Sequence, residues 1–286
     1  MGIYDNLLMS YFGIKTFENI DYTRTPVFIG DLSGEENILT IRKNENLSGG
    51  SPTVTVEYSY DNNTWVSAGS TTTEGIHITI PANGRVFLRS NAVKWGAFVD
   101  GYVCSNGISA EGNFIVAGNL LSLMYGSNFT GNETTLRTTD MGAFVNLFSW
   151  ARTLVSAKNL VINAIGKFSH QGLFYDCRSL TEAPQLPVTN LDDGCYYDMF
   201  WGCTSLEKAP TLPAITLKSQ CYERMFYNCS LLNYIECLAT DISANHCTDN
   251  WLDNVSVTGT FIKNANMSSW TTGTGGIPSG WTVQNA

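Results

Sequence analysis

Cys195-Tyr196-Tyr197-Asp198-Met199-Phe200-Trp201-Gly202-Cys203-Thr204-Ser205-Leu206-Glu207-Lys208-Ala209-Pro210-Thr211-Leu212-Pro213 is one turn of a pattern that returns every 26 residues. Phe148, Phe174, Phe200 and Phe226 keep that beat, and Leu252 falls on the next one. Leu154, Leu180, Leu206 and Leu232 follow each Phe by six places, and Leu147, Leu173, Met199, Met225 and Trp251 stand just before the beat. Cys177, Cys203 and Cys229 come three after the Phe, and Cys195, Cys221 and Cys247 come five before the next beat. Several columns in phase at a period of 20–50 residues mean stacked units, none of which can bury its apolar face alone. Cys195, Met199 and Cys203 stand at i, i+4 and i+8, which predicts one face of a short helix. Pro184, Pro187, Pro210 and Pro213 forbid helix beyond it and favour extended chain. Each unit is therefore expected to hold a short helix, a short strand around Leu206 and an extended return. Stacked at about 4.8 Å per strand, such units make an array on the order of 20–25 Å long.

Working outward, residues 18–115 read as β. Val54, Val56, Tyr58 and Tyr60 alternate with Thr55, Glu57 and Ser59, the period of a half-buried strand. Asp61-Asn62-Asn63 is turn chemistry before Thr64-Trp65-Val66, and Ile76, Ile78 and Ile80 alternate again before the Pro81–Gly84 turn. Short strands with frequent turns predict a β-sandwich. Its core is expected to include Trp65, Ile78, Ile80, Val86 and Leu88, each contributing roughly 1.5–3 kcal/mol when buried. Phe114, Val116, Leu120, Leu121, Leu123 and Met124 read as the entry to the array. The segment from 248 loses the Phe beat and reads as a cap with a polar outside. Residues 1–17 carry Leu7, Leu8, Tyr11 and Phe12 on a helical stripe and read as an arm that docks on a partner subunit, with packing onto its own domain as the alternative. The expected organisation is thus an arm over 1–17, a β-sandwich over 18–115, the repeat array over 116–247 and a cap over 248–286. In fold class it is mainly β with short helices.

The chain has 286 residues, only 14% charged, with a net charge of -9. A cluster of Lys or Arg able to displace counterions from a nucleic acid is missing, so no nucleic-acid partner is expected. No run of about 20 apolar residues exists, so no membrane insertion is expected. Met1–Asn6 offers neither a basic leader nor a myristoylation pattern, which argues for a protein that works without export. The eight Cys form no Cys-x-x-Cys pair, and His77, His170 and His246 do not cluster with them at zinc spacing. They read as small buried residues, with a bridge along a column as the alternative. Neither metal nor cofactor is expected.

Met-Phe-x-x-Cys-x-x-Leu at 199–206 and 225–232, followed by Ala-Pro-x-Leu-Pro at 183–187 and 209–213, resembles the BspA-like leucine-rich-repeat family. So does the ending Ser268–Thr274 with Gly276–Val283. The resemblance covers about residues 120–286 and implies a leucine-rich-repeat-like solenoid. Bacterial members are exported adhesins, whereas phage members are virion, fibre or tail proteins. It therefore implies a phage structural protein, with a bacterial surface adhesin as the alternative. The partners it implies are other virion proteins, met through the arm and β domain, and a glycan or protein of the host surface. Fibre proteins of this kind also imply a homo-oligomer.

No catalytic residue is expected. Asp192-Asp193 is the obvious carboxylate pair, but the next unit has Lys218 and Ser219 there. No Gly-x-Ser-x-Gly, phosphate loop or His-Glu-x-x-His occurs. The candidate binding residues stand one after each Phe, namely Ser149, Tyr175, Trp201 and Tyr227, beside the polar or amphipathic Gln171, Tyr197 and Glu223. Tyr175, Tyr197, Trp201 and Tyr227 are the expected contact residues, since a row of wet aromatics suits sugar rings or a partner's apolar patch; the alternative is that they pack on neighbouring repeats as a satellite layer.

Overall fold

The structure is a computed structural model that describes residues 20–44, 50–99, 102–268 and 270–286. The arm expected over 1–17 lies outside the described residues. The protein is mainly β. Among the described residues nine strands come first: β1 (Phe28–Asp31), β2 (Asn37–Asn44), β3 (Thr55–Ser59), β4 (Val66–Ser70), β5 (Ile76–Ile80), β6 (Arg85–Ser90), β7 (Gly96–Val99), β8 (Tyr102–Ala110) and β9 (Phe114–Asn119). A four-residue helix, α1 (Ser122–Tyr125), follows, then short β10 (Leu154–Ser156) and β11 (Leu160–Val161), and finally β12 (Tyr234–Cys237), β13 (Gly259–Lys263) and β14 (Trp281–Asn285).

One antiparallel sheet runs β4–β3–β6–β1–β9 and a second runs β5–β2–β8–β7. Alternation places Ile29, Val56, Val86 and Leu88 of the first and Leu39, Ile41, Ile78, Ile80 and Ile108 of the second in one buried cluster. The run Val54–Tyr60 keeps its alternation only in part. The register against β4 shifts between Val56 and Glu57, and a bulge of this kind interrupts the facing pattern. Ser59 is then buried, with its hydroxyl on Asp61 at 2.8 Å, while Tyr60 is half exposed. Trp65 is not in the main core as expected. It packs on the outer face beside Phe28, Phe87, Ala117 and Tyr22, with the Arg89 guanidinium 4.1 Å above its ring.

The largest departure from expectation is in the repeats. Residues 141–150, 167–176, 193–202, 219–228 and 245–254 are runs of turns, with no helix. Every fourth residue is left-handed: Gly142, Asn146 and Trp150; Phe168, Gly172 and Asp176; Gly194, Asp198 and Gly202; Gln220, Arg224 and Asn228; His246, Asn250 and Asn254. A helix tolerates no such residue in its interior, so the shared face of Cys195, Met199 and Cys203 belongs to a string of four-residue turns.

The backbone accounting explains why the turns stack. Gly172, Phe174 and Asp176 donate their N–H to the carbonyls of Tyr197, Met199 and Trp201 in the next unit at 2.7–2.9 Å. The residues between, Leu173, Tyr175 and Cys177, donate back to His170, Gly172 and Phe174 within their own unit. The same rule connects the third unit to the fourth and the fourth to the fifth, so the polar groups of these turns are paired without a helix. On the far side the units meet through parallel contacts at Ser156–Glu182, Lys208–Tyr234, Leu212–Cys237 and Thr216–Asp241. These widen into the parallel sheet β12–β13–β14. The strand expected around Leu206 is displaced to this line, with Lys208 as its paired residue.

Inside, the Phe148, Phe174, Phe200 and Phe226 rings stack at 5.7, 5.4 and 5.4 Å. A second column runs Phe144, His170, Tyr196, Tyr222 and Trp251, all buried, and ends on the half-buried Trp270. All eight cysteines are buried and unbridged. The thiols of Cys177, Cys203 and Cys229 donate to the carbonyls of Phe148, Phe174 and Phe200 in the preceding unit at 3.0–3.2 Å. Each is thus a small core residue that also fastens two rungs. At the entry, the N–H groups of Trp95 and Ile108 donate to Ala143 and Leu147, the carbonyls that in later units accept from the unit before. At the exit only Trp281 of β14 is buried, and its other residues face outward.

Candidate functional site

The face formed by the turns carries the candidate residues. Tyr175, Trp201 and Tyr227 stand in one row as expected, at 4.4 Å and 6.0 Å with nearly parallel rings. The first rung differs. Ser149 turns its hydroxyl to the Asn146 carbonyl, and Trp150, left-handed at φ 63 and 56% exposed, leans over Tyr175 at 5.6 Å with a tilt of 46°. The row is therefore Trp150–Tyr175–Trp201–Tyr227. Its rings spend their faces on one another and offer mostly edges outward. The second face of Tyr175 meets only the tilted Trp150, so the stack splays open there.

Tyr197 is not in this row. It lies alongside, with the Arg224 guanidinium 4.9 Å from its ring and its hydroxyl accepting from Arg224 at 2.6 Å. Arg224 also donates to both oxygens of Asp198, at 2.9 and 2.7 Å. One rung earlier Asp176, 2% exposed, accepts from Arg152 at 2.7 Å and Arg178 at 2.9 Å. The Arg152–Asp176 and Arg224–Asp198 pairs tie rung to rung along the turn face, while Arg178 holds Asp176 within its own unit.

Burial pushes the Asp198 carboxyl up to about 6, against the pull of Arg224. Burial likewise pushes the Tyr197 phenol up to about 12. Buried His170 is held down at about 3, with its Nδ1 2.8 Å from the Ser169 hydroxyl, so at neutral pH it is an uncharged member of the aromatic column. Burial raises Cys221, Cys229 and Cys237 to about 12, which leaves these thiols without nucleophilic character at pH 7.

The neighbouring carboxylates Asp192 and Asp193 make local contacts. Asp193 lies 3.5 Å from Lys167, and Asp192 accepts the Asp193 N–H. Among the described residues no group of three His, Cys, Asp or Glu could hold a metal, and no helix is long and apolar enough to cross a membrane. An open groove of about 250 Å³ lies on the turn face, lined by Asn146, Ser149, Trp150, Gln171, Tyr175 and Asp198.

Of these features, sequence reasoning found Tyr175, Trp201 and Tyr227 from their place after each Phe. It missed Trp150, one residue off that beat, and the Asp198–Arg224 pair, visible in the sequence only as opposite charges 26 places apart. Comparison with protein families, with curated proteins and with solved structures yields no match.

Proposed function

We propose that this chain is a non-enzymatic structural protein of a phage particle, in which a leucine-rich-repeat-like solenoid displays a binding face for a host-surface glycan or protein. In this reading residues 18–115 form a β-sandwich that joins the module to other virion proteins, 116–247 form the solenoid and 248–286 cap it. The observation that carries the binding half is the row Trp150–Tyr175–Trp201–Tyr227, half-buried to exposed along a ladder in which every rung is fastened to the next. Such a surface is rigid, aromatic and hydrogen-bonding at its rim, and little ordering is needed when it binds. The virion setting rests on the resemblance of 183–187, 199–206, 209–213 and 225–232 to phage members of the repeat family, together with the low charge of the chain.

Two measurements test it. Mass spectrometry of purified particles of the phage that encodes the chain is expected to find it, and its absence from them removes the virion half. The labelled protein is expected to bind host cells, and the double substitution Trp201→Ala with Tyr227→Ala to abolish that binding while the fold persists. Undiminished cell binding by the double variant removes the row as the contact surface.

A further inference from the structure

The basic residues of the turn units follow a rule that is broken once. Lys167, Lys208, Lys218 and Arg224 each have an acidic residue at the same place of a neighbouring unit, namely Asp193, Glu182, Asp192 and Asp198. Two of these close as ion pairs, Lys167 with Asp193 at 3.5 Å and Arg224 with Asp198 at 2.7 Å. Opposite charges on adjacent rungs attract, whereas like charges facing each other destabilise. Arg152 and Arg178 stand 26 residues apart, four after Phe148 and Phe174, so here cation follows cation. No other two basic residues of the five units share a place. The next two units carry Thr204 and Ser230 there, so this column offers guanidiniums and hydroxyls and no carboxylate.

Asp176 holds the two cations together. It is 2% exposed. Its Oδ2 accepts from Nε and Nη2 of Arg152 at 2.9 and 2.7 Å, and its Oδ1 accepts from Nε of Arg178 at 2.9 Å. The next left-handed position of its column is Gly202, where a Cβ would lie 3.2 Å from Asp176 Oδ1, so no side chain presses on the carboxylate from there. One buried anion thus fixes two guanidiniums, and the local balance is positive in a chain of net charge -9. Arg152 Nη1 and both Nη atoms of Arg178 have no acceptor among the described residues, and the two side chains are 52% and 55% exposed. Neighbouring carboxylates are engaged elsewhere, Glu182 with Ser156 and Lys158 and Asp198 with Arg224. A guanidinium already fixed along one edge loses little freedom when its other edge meets an anion, and its planar fork matches a carboxylate or phosphate.

We propose that Arg152 and Arg178 form a site for an anionic group, a carboxylate, sulfate or phosphate carried by a host-surface glycan. The group accepts from the outward Nη atoms while Asp176 holds the Nε atoms from the buried side. This site rests on the reading above that the turn face meets a glycan, and it narrows that glycan to an acidic one.

The test uses the full chain on a printed array of neutral, uronate-bearing, sialylated, sulfated and phosphorylated oligosaccharides, with melting temperatures measured alongside. Arg178→Gln removes one cation and leaves the Arg152–Asp176 pair that ties the rungs. Arg178→Lys keeps the charge without the fork. The expected result is wild-type binding of acidic glycans that weakens as salt is added, with a loss of about tenfold or more in Arg178→Gln and an intermediate loss in Arg178→Lys. The class of acidic glycan bound separates carboxylate from sulfate and phosphate. Wild-type affinity in folded Arg178→Gln overturns the site while leaving glycan binding elsewhere on the face intact. Binding confined to neutral glycans does the same. No glycan binding by the wild type overturns the site and the glycan half of the proposed function together. If Arg178→Gln does not fold, Arg178→Lys decides, and an unchanged affinity there overturns the paired-guanidinium site.

Discussion

His170 is buried in an aromatic column, between Phe144 at 5.6 Å and Tyr196 at 6.2 Å. Burial holds its imidazole down at about 3, whereas an unfolded chain protonates histidine near 6.5. Between those values the unfolded state binds a proton that the folded state refuses. The stability linked to His170 is therefore complete above about pH 6.5 and is lost as pH falls toward 3, at about 1.4 kcal/mol per pH unit. Asp198 acts in the opposite sense. Its carboxyl is raised by burial from 3.8 to about 6, so its contribution is complete below 3.8 and lost as pH rises through 6. Over pH 4–6 the two oppose each other and flatten the wild-type curve. His170→Phe keeps the ring in the column and removes the proton site. The lost Ser169 hydrogen bond shifts its stability at every pH alike, while the difference in melting temperature between variant and wild type moves in the variant's favour from pH 7 to pH 4.5. A difference that stays constant over that range contradicts a buried neutral histidine.

At the scale of one element, the turn string rests on residues that accept a left-handed backbone. Gly194 has φ +58, and a Cβ there would lie 2.1 Å from the Phe168 ring. Gly34 has φ +79 with open space around it. Both Gly→Ala changes incur backbone strain of about 1–2 kcal/mol, and Gly194→Ala adds overpacking of about 1–3 kcal/mol. Urea unfolding is expected to show the larger loss for Gly194→Ala, and equal losses would mean that Phe168 yields freely. This element also marks the limit of what the chain reveals before folding. The 26-residue period located the buried columns correctly, because apolar residues repeating in phase must face one core: Phe148, Leu154, Phe174, Leu180, Cys203, Leu206 and Phe226 are all fully buried. The turn was hidden because i, i+4 and i+8 describes a helix face and a four-residue turn alike. The discriminating sign, a left-handed-tolerant residue at every fourth place, runs through Asn146, Gly172, Asp176, Gly194, Asp198 and Gly202. Trp150, Phe168, Gln220, Arg224 and His246 interrupt it. The same interruption hid part of the site, since the left-handed backbone at Trp150 carries its ring into the row from outside the expected column.

For the whole molecule, the decisive joint is β9. It pairs antiparallel with β1 on one edge and parallel with β10 and β11 of the first repeat on the other. Phe114 is opposite Asp31 on one side and Leu154 on the other, and it is fully buried. The N–H groups of Trp95 and Ile108 supply the rung before the first, and one buried cluster runs without a break from Val27 to Trp281. An array whose first unit has no separate surface of its own should not melt apart from the sheets that start it. Scanning calorimetry is accordingly expected to give one transition. Phe114→Ala, at a cost of about 3–5 kcal/mol, is expected to move that whole transition to lower temperature. Hydrogen exchange on either side of the joint is expected to lose protection together, at Ile41 and Leu88 in the sheets and at Phe174 and Phe200 in the turns. Two resolved transitions, or a loss of protection confined to the sheets, would mean that β9 only abuts the array and that each part carries its own stability.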